Sequence, residues 1–397
     1  MMKLADRIER LHESQTIAMA RISRELREQG HDIISLSLGE PDFVTPAYIR
    51  EAAKKAIDDG YTHYPPISGY MDLRQAICDK LKRENNLTYT PDQIVVSTGA
   101  KQCIANAVLC TINPGDEVIV PSPYWVSYSQ IIQLAGGVPV FIPTDIASDF
   151  KITEKQLSNA ITSKTRMFIF SSPCNPTGTV YTRDELKVLA SVFEKHENIF
   201  ILSDEIYEHI NFIGKHESIA QFDSIRSRVI IVNGVSKSYA MTGWRIGYLA
   251  AEKFLAQACD KMQGQFTSAA SSIAQRATIA AISRDDAENK IMFKAFERRR
   301  DLVLKLLKEI PGLKVNQPQG AFYVFPDVSA FFGKQYNGTV IHTPEDLCMF
   351  LLRDARVSLV TGEAFGDNQC IRISYAAADE DLVKAIGRIS ESLAKLN

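Results

Sequence analysis

The sequence lacks any run approaching the roughly 20 consecutive apolar residues that a membrane-spanning helix needs. Its N-terminal segment, MMKLADRIERLHESQ, is charged throughout where a secretory signal would need an apolar stretch, so secretion is not expected. The seven cysteines form no C-x-x-C pair and no Cys/His ligand spacing, which argues against a metal site. Being odd in number and scattered, they suit a reducing compartment rather than a disulfide framework. Charge of one sign is not in excess: 45 Lys and Arg stand against 47 Asp and Glu, a net charge of -2. Nucleic acid and anionic membrane therefore have no electrostatic claim as partners. Internal repeats, low-complexity tracts and Pro/Gly/Ser-rich linkers are also missing. What remains is a cytoplasmic-type chain of 397 residues, 45% hydrophobic and 23% charged, long enough for more than one buried core.

From about residue 92, short β-branched apolar runs alternate with longer amphipathic stretches. The runs are IVVS (94–97), VIVP (118–121), PVFI (139–142), MFIFS (167–171), IFILS (199–203) and VIIVN (229–233). Continuous apolar strands separated by helices such as RDELKVLASVFEKH (183–196) predict βαβ units and a mostly parallel sheet buried on both faces. Past about residue 285 the pattern changes. A long charged helix runs to Pro311-Gly312, followed by strands near 320–325, 357–360 and 370–374 and helices near 344–355 and at the C-terminus. The fold class is thus α/β, with a smaller α+β domain. Expected boundaries are an N-terminal arm over 1–45, a large domain over 46–284 and a small domain over 285–397. The arm holds one amphipathic helix, too little for a core, and is expected to pack on the small domain or on a partner subunit.

Ligands of open parallel sheets bind beyond the carboxyl ends of the strands, which directs attention to the residues after each run. Thr98-Gly99-Ala100-Lys101 is either a tight turn or a phosphate cradle at a helix start. Trp125 is either a core aromatic or a plate for a planar ligand. Asn175, in Ser172-Pro173-Cys174-Asn175-Pro176-Thr177-Gly178, could serve only as a cap. Asp204 could likewise be a cap, although a carboxylate after a fully apolar strand ordinarily needs a cation. Lys237, taken alone, reads as a snorkelling surface lysine. Together they supply a lysine, an acid, an aromatic plate and a phosphate site, the requirements of pyridoxal 5'-phosphate.

On these motifs, with Gly39-Glu40-Pro41-Asp42-Phe43, Tyr64-Pro65-Pro66, Gly243-Trp244-Arg245-Ile246-Gly247-Tyr248 and Cys370-Ile371-Arg372-Ile373-Ser374, the chain resembles the class I aminotransferases of PLP-dependent fold type I. It looks most like their bacterial Ib aspartate aminotransferase branch. The resemblance implies three catalytic residues: Lys237 as the Schiff-base lysine and proton shuttle, Asp204 on the ring nitrogen, and Tyr207, with Asn175, on the ring oxygen. It implies Trp125 stacked on the ring and Arg245, Ser236, Ala100 and Lys101 at the phosphate, with Tyr64 reaching in from the neighbouring subunit of a homodimer. Arg372 would clamp the substrate α-carboxylate, helped by Asn175 and the backbone at Gly39. Lys101, with hydroxyls of Ser14 and Thr16 and near Trp125, would take the side-chain carboxylate of a dicarboxylic substrate; Ser14 and Thr16 could instead only cap the first helix.

The implied reaction is transamination between L-aspartate and 2-oxoglutarate. Alternatives are a bifunctional aspartate/prephenate aminotransferase and an aromatic or alanine-type enzyme. A ligand-sensing module of a transcription regulator would carry an added DNA-binding domain, for which fewer than about 45 residues precede the catalytic pattern. Cys174 stands where relatives often have Asn and carries no role. The segment FFGKQYNGTVIHT (331–343) reads as a loop on the small domain.

Overall fold

The computed structural model describes residues 3–11, 13–284 and 287–397. Its centre is a sheet of seven strands: β1 (Ile94–Ser97), β2 (Glu117–Ser122), β3 (Val138–Pro143), β4 (Thr165–Ser171), β5 (Phe200–Asp204), β6 (Val229–Gly234) and β7 (Gly247–Ala250). The order across the sheet is β1-β7-β6-β5-β4-β2-β3. Neighbours pair in parallel except at β7, which runs antiparallel to both β1 and β6. The apolar runs are continuous because successive residues feed opposite cores. Along β4, Phe168 and Phe170 enter one cluster with Leu186, Leu189 and Phe193 of the helix Arg183–Phe193. Met167 and Ile169 enter the other, with Cys103, Ile104 and Ala107 of the helix Ala100–Thr111.

A second body of apolar contacts gathers Ile33, Ile34 and Leu36 with the long helix Ala287–Lys308, the helix Pro344–Asp354 and the C-terminal helix Asp379–Leu393. Here β8 (Tyr323–Val324), β9 (Val360–Thr361) and β10 (Ile371–Ser374) make an antiparallel sheet in the order β9-β10-β8. Ile34–Ser35 pairs in parallel with Val357–Ser358, and Met19 of the helix Gln15–Glu28 is buried in the same cluster. The N-terminal arm is therefore packed against the C-terminal part of this chain. The expected boundary at 284/285 falls on Asp285 and Asp286, which lie outside the described residues, as do Met1, Met2 and His12 of the arm.

Three local expectations are corrected. Strand β7 was not foreseen, because its four residues sit inside a turn-rich segment beside Trp244 and Arg245. The 357–360 strand is two: the chain leaves the pairing with Ile34–Ser35 at Ser358 and joins β10 from Val360. The 331–343 segment contains a hairpin, Gln335–Tyr336 against Thr339–Val340. Its turn residues Asn337 and Gly338 have φ of 48° and 79°, the left-handed pair that an Asn-Gly turn supplies.

Candidate active site

The sheet delivers its chemistry at one edge because every parallel strand ends there. Asp204 is the last residue of β5, Asn175 follows β4, Trp125 follows β2, and Lys237 lies three positions beyond β6. A cavity of about 250 Å³ forms at these ends. It is lined by Ser14, Thr16, Gly39, Ala100, Lys101, Trp125, Asn175, Asp204, Tyr207, Ser236, Lys237, Arg245 and Arg372. Of the residues expected to form the site, only Tyr64 is elsewhere: it is 97% exposed.

Asp204 is 5% exposed, and its carboxylate accepts from the Tyr128 hydroxyl at 2.7 Å and the Ile206 amide at 3.2 Å. Burial pushes its pKa up to about 6, because those two hydrogen bonds do not replace the hydration it has lost. The Lys237 amine donates to the Gly39 carbonyl at 2.6 Å. Burial lowers its pKa to about 8, with Arg372 and Arg245 acting in the same sense against Glu40 and Asp204. The Tyr207 hydroxyl pairs with that of Tyr323 at 2.8 Å, and burial, then Tyr323, raises its pKa well above the ordinary phenol value.

Arg372 is 2% exposed and is held from several sides. It donates to Asn175 Oδ1 at 3.0 Å and to the Ser37 carbonyl at 2.5 Å, and it stacks over Tyr323 at 4.5 Å and Phe365 at 4.8 Å. Its Nε is buried and has no partner among the described residues, so one of its donors is unused. Lys101 lies 5.1 Å from the Trp125 ring centroid, and burial, then Arg245, lowers its pKa. Ser14 occupies the N-cap position of Gln15–Glu28 yet makes no side-chain cap bond, and Thr16 Oγ1 is buried without a partner among the described residues. Capping alone does not account for either hydroxyl.

Opposite, Gly99 caps the helix Ala100–Thr111 with φ of 85°, and a Cβ there would strike the Arg245 guanidinium. A Cβ on Gly247 would overlap the Ala100 amide nitrogen. Strand β7 thus presses against the helix start, whose first amides and Arg245 form a cationic cradle without side-chain bulk. The arrangement fits pyridoxal phosphate on the chain's own features. A buried carboxylate with a raised pKa calls for a cation, an amide-and-arginine cradle calls for an anion, and an amine of lowered pKa lines the same cavity.

Sequence reasoning missed Tyr128, Tyr323 and Ser37. Tyr128 lies one helical step from Trp125 and packs against it edge-on at 5.4 Å, a spacing that could have flagged it. Tyr323 read only as strand, and Ser37 contributes a carbonyl, which no side-chain pattern reports.

Comparison with known proteins gives a consistent picture. The family described as aminotransferase class I and II matches residues 31–389. An aspartate aminotransferase of Pinus pinaster is 48% identical over 98% of this chain and 80% of its own length. An aspartate/prephenate aminotransferase of Cereibacter sphaeroides is 47% identical over 99% of both. The crystal structure of an aspartate aminotransferase from Rhizobium meliloti superposes with a TM-score of 0.96 at 40% identity, covering 100% of each chain.

Proposed function

The chain belongs to the class I and II aminotransferases, and from that premise we propose that it transfers the amino group of L-aspartate to 2-oxoglutarate, giving oxaloacetate and L-glutamate. Its cofactor is pyridoxal phosphate. The observation that carries the substrate class is that one cavity combines Lys237 and Asp204 with two separate cations, Arg372 and Lys101. Two cations suit two carboxylates; a neutral side chain would leave Lys101 without a role.

When bound, the cofactor supplies an electron sink that stabilises negative charge at the substrate α-carbon. Asp204, ionised, would keep a proton on the ring nitrogen, and Tyr128 would keep Asp204 ionised. Tyr207 and Asn175 would hold the ring oxygen, Trp125 would cover the ring face, and Arg245, Ser236 and the amides of Ala100 and Lys101 would hold the phosphate. Lys237 would move the proton between the substrate α-carbon and cofactor C4'. Its lowered pKa suits the task, because a larger neutral fraction near pH 8 is a larger concentration of base. Arg372 would hold the α-carboxylate and Lys101, with Ser14 and Thr16, the second one. Because these groups sit on different elements, with Ser14 and Thr16 already lining the cavity, a bound dicarboxylate would tie the N-terminal helix to the sheet edge and help exclude water.

The proposal extends to a homodimer in which Tyr64 of the partner subunit completes each phosphate site. Exposure of this ring in the single chain supports that reading. It extends also to a cytoplasmic location, and no helix among the described residues is long and apolar enough to cross a membrane. The domain division is proposed as 1–45, 46–284 and 285–397, supported by the separate apolar clusters. A second reading, use of prephenate as acceptor, is favoured by the name of the Cereibacter relative. A panel of aspartate, glutamate, 2-oxoglutarate, prephenate, phenylpyruvate and pyruvate, read by the cofactor spectrum, separates the two. Turnover with 2-oxoglutarate but not prephenate supports the first alone, and silence toward aspartate contradicts both.

A further inference from the structure

The end of β5 and the turn after it face two ways. Asp204, Ile206 and Tyr207 line the cavity, whereas Glu205 and Glu208 are buried outside it, at 1% and 5% exposure. Glu205 Oε1 accepts from Ser203 Oγ at 2.9 Å and Ser218 Oγ at 2.6 Å. Its Oε2 lies 3.0 Å from His216 Nε2, close enough for a charge pair with protonated imidazole but without hydrogen-bond geometry, so the hydrogen bond that ties the turn to the 216–218 segment is the one from Ser218. Glu208 pairs with the ammonium of Lys80, itself 1% exposed, and accepts from Asn85 Nδ2 at 3.0 Å. The backbone joins the same scaffold: the Glu205 amide donates to the Val232 carbonyl of β6 at 2.8 Å, and the Glu208 amide to the Glu205 carbonyl at 2.9 Å.

Ionic groups this deeply buried are a poor way to gain stability, since well-packed apolar residues of equal volume do as well or better. Two side-chain sets here have ligand-like spacing, Glu84 with Glu208 and His209, and Glu205 with Glu208 and His216. Both share Glu208, and Lys80 already supplies its cation. A neighbouring cleft of about 710 Å³ touches Glu208 and His216 but none of the strand-end residues that line the cavity.

We propose that the pairs Lys80–Glu208 and Glu205–His216 are a positioning device. They pin the turn to the end of the helix Met71–Lys80 and to the 216–218 segment, so that Asp204 and Tyr207 keep their places at the cofactor. None of the four touches the cavity, so they act through the residues they hold. The inference rests on the site assignment proposed above. Burial is the first cause that raises the Asp204 pKa, and the Glu205 carboxylate adds to it, so the network also bears on Asp204 electrostatically.

The test uses the holoenzyme and separates stability from position. Single variants Lys80→Met and Glu208→Gln each leave an unbalanced buried group and should lower the melting temperature; the double variant should recover most of it. In the recovered double variant the pH midpoint of the cofactor's visible band should move by about one unit, and kcat for aspartate should fall about tenfold with KM within about twofold. A double variant with native melting, native midpoint and native kcat overturns the positioning role. Should the double variant not fold, Glu205→Gln, which keeps an acceptor for Ser203 and Ser218 but deletes the charge, must still move the midpoint; an unmoved midpoint overturns the proposal. Asp204→Asn is the control for the site itself. If it leaves the band unchanged, the assignment of Asp204 is what fails; if it moves the band and the network variants do not, positioning alone fails.

Discussion

Asp204 and Lys237 are moved from their ordinary protonation ranges by one cause, burial, acting in opposite senses. For Asp204, the folded chain binds more protons than the unfolded chain between pH 3.8 and about 6, so its contribution to stability falls as pH rises through that window. Above it the full penalty stands. In cofactor-free protein, Asp204→Asn should therefore increase stability at pH 7 by about 2 to 3 kcal/mol and by almost nothing below pH 4. Urea unfolding at the two pH values checks this, and an equal effect at both would contradict the cause given. For Lys237, the neutral amine is the reactive form, so covalent loading of the cofactor should quicken about tenfold per pH unit below a midpoint near 8 and level off above it. Stopped-flow absorbance follows it directly. Lys237→Ala should bind the cofactor without covalent attachment and show no turnover. At this scale the sequence was informative wherever a side chain had to follow an apolar strand, as for Asp204 and Asn175. It was silent on the pairing where the partner came from another element: spacing from Trp125 could place Tyr128 near the site but not on Asp204, and nothing marked the Ser37 carbonyl for Arg372, because only the fold brings those together.

Strand β7 and the helix Ala100–Thr111 make the phosphate cradle by close approach, and Gly247 is what permits it. Gly247→Ala should weaken cofactor affinity at least about tenfold while the chain stays folded, since the added methyl pushes the helix start and its amides outward. Equilibrium dialysis of the cofactor, with circular dichroism as control, measures it. The parallel strands were legible because each is an apolar run set between helices, even β3, which lies at the sheet edge with Val138 and Phe141 exposed rather than buried on both faces as expected. Strand β7 was not, because it opens on Gly247, close behind Gly243, so turn signals cover its N-terminal side. The 331–343 hairpin shows the converse: Asn337-Gly338 is a strong local turn signal, but the strands beside it are two residues each, too short for alternation to register.

In the whole molecule, one exposed ring bears on assembly. If Tyr64 serves the partner subunit's site, neither Lys237→Ala nor Tyr64→Ala homodimers are fully competent, yet a mixed dimer holds one native site. Mixing the two variants under exchange conditions should give activity above that of either alone; no gain would place Tyr64 outside the site or the protein outside a shared-site dimer. The change of pattern near residue 285 is what the proposed division rests on in the sequence, whereas the docking of Ile34–Ser35 onto Val357–Ser358 required structure, since two-residue strands carry no periodicity. The central claim, that this cavity accepts an amino group from a dicarboxylic amino acid, is tested most directly by a half-reaction. Holoenzyme mixed with L-aspartate and no 2-oxo acid should convert its visible cofactor band to the amine form and release one oxaloacetate per site, and Lys101→Ala should raise the aspartate concentration required by about tenfold or more. A band that does not change, with no oxaloacetate released, would contradict the account.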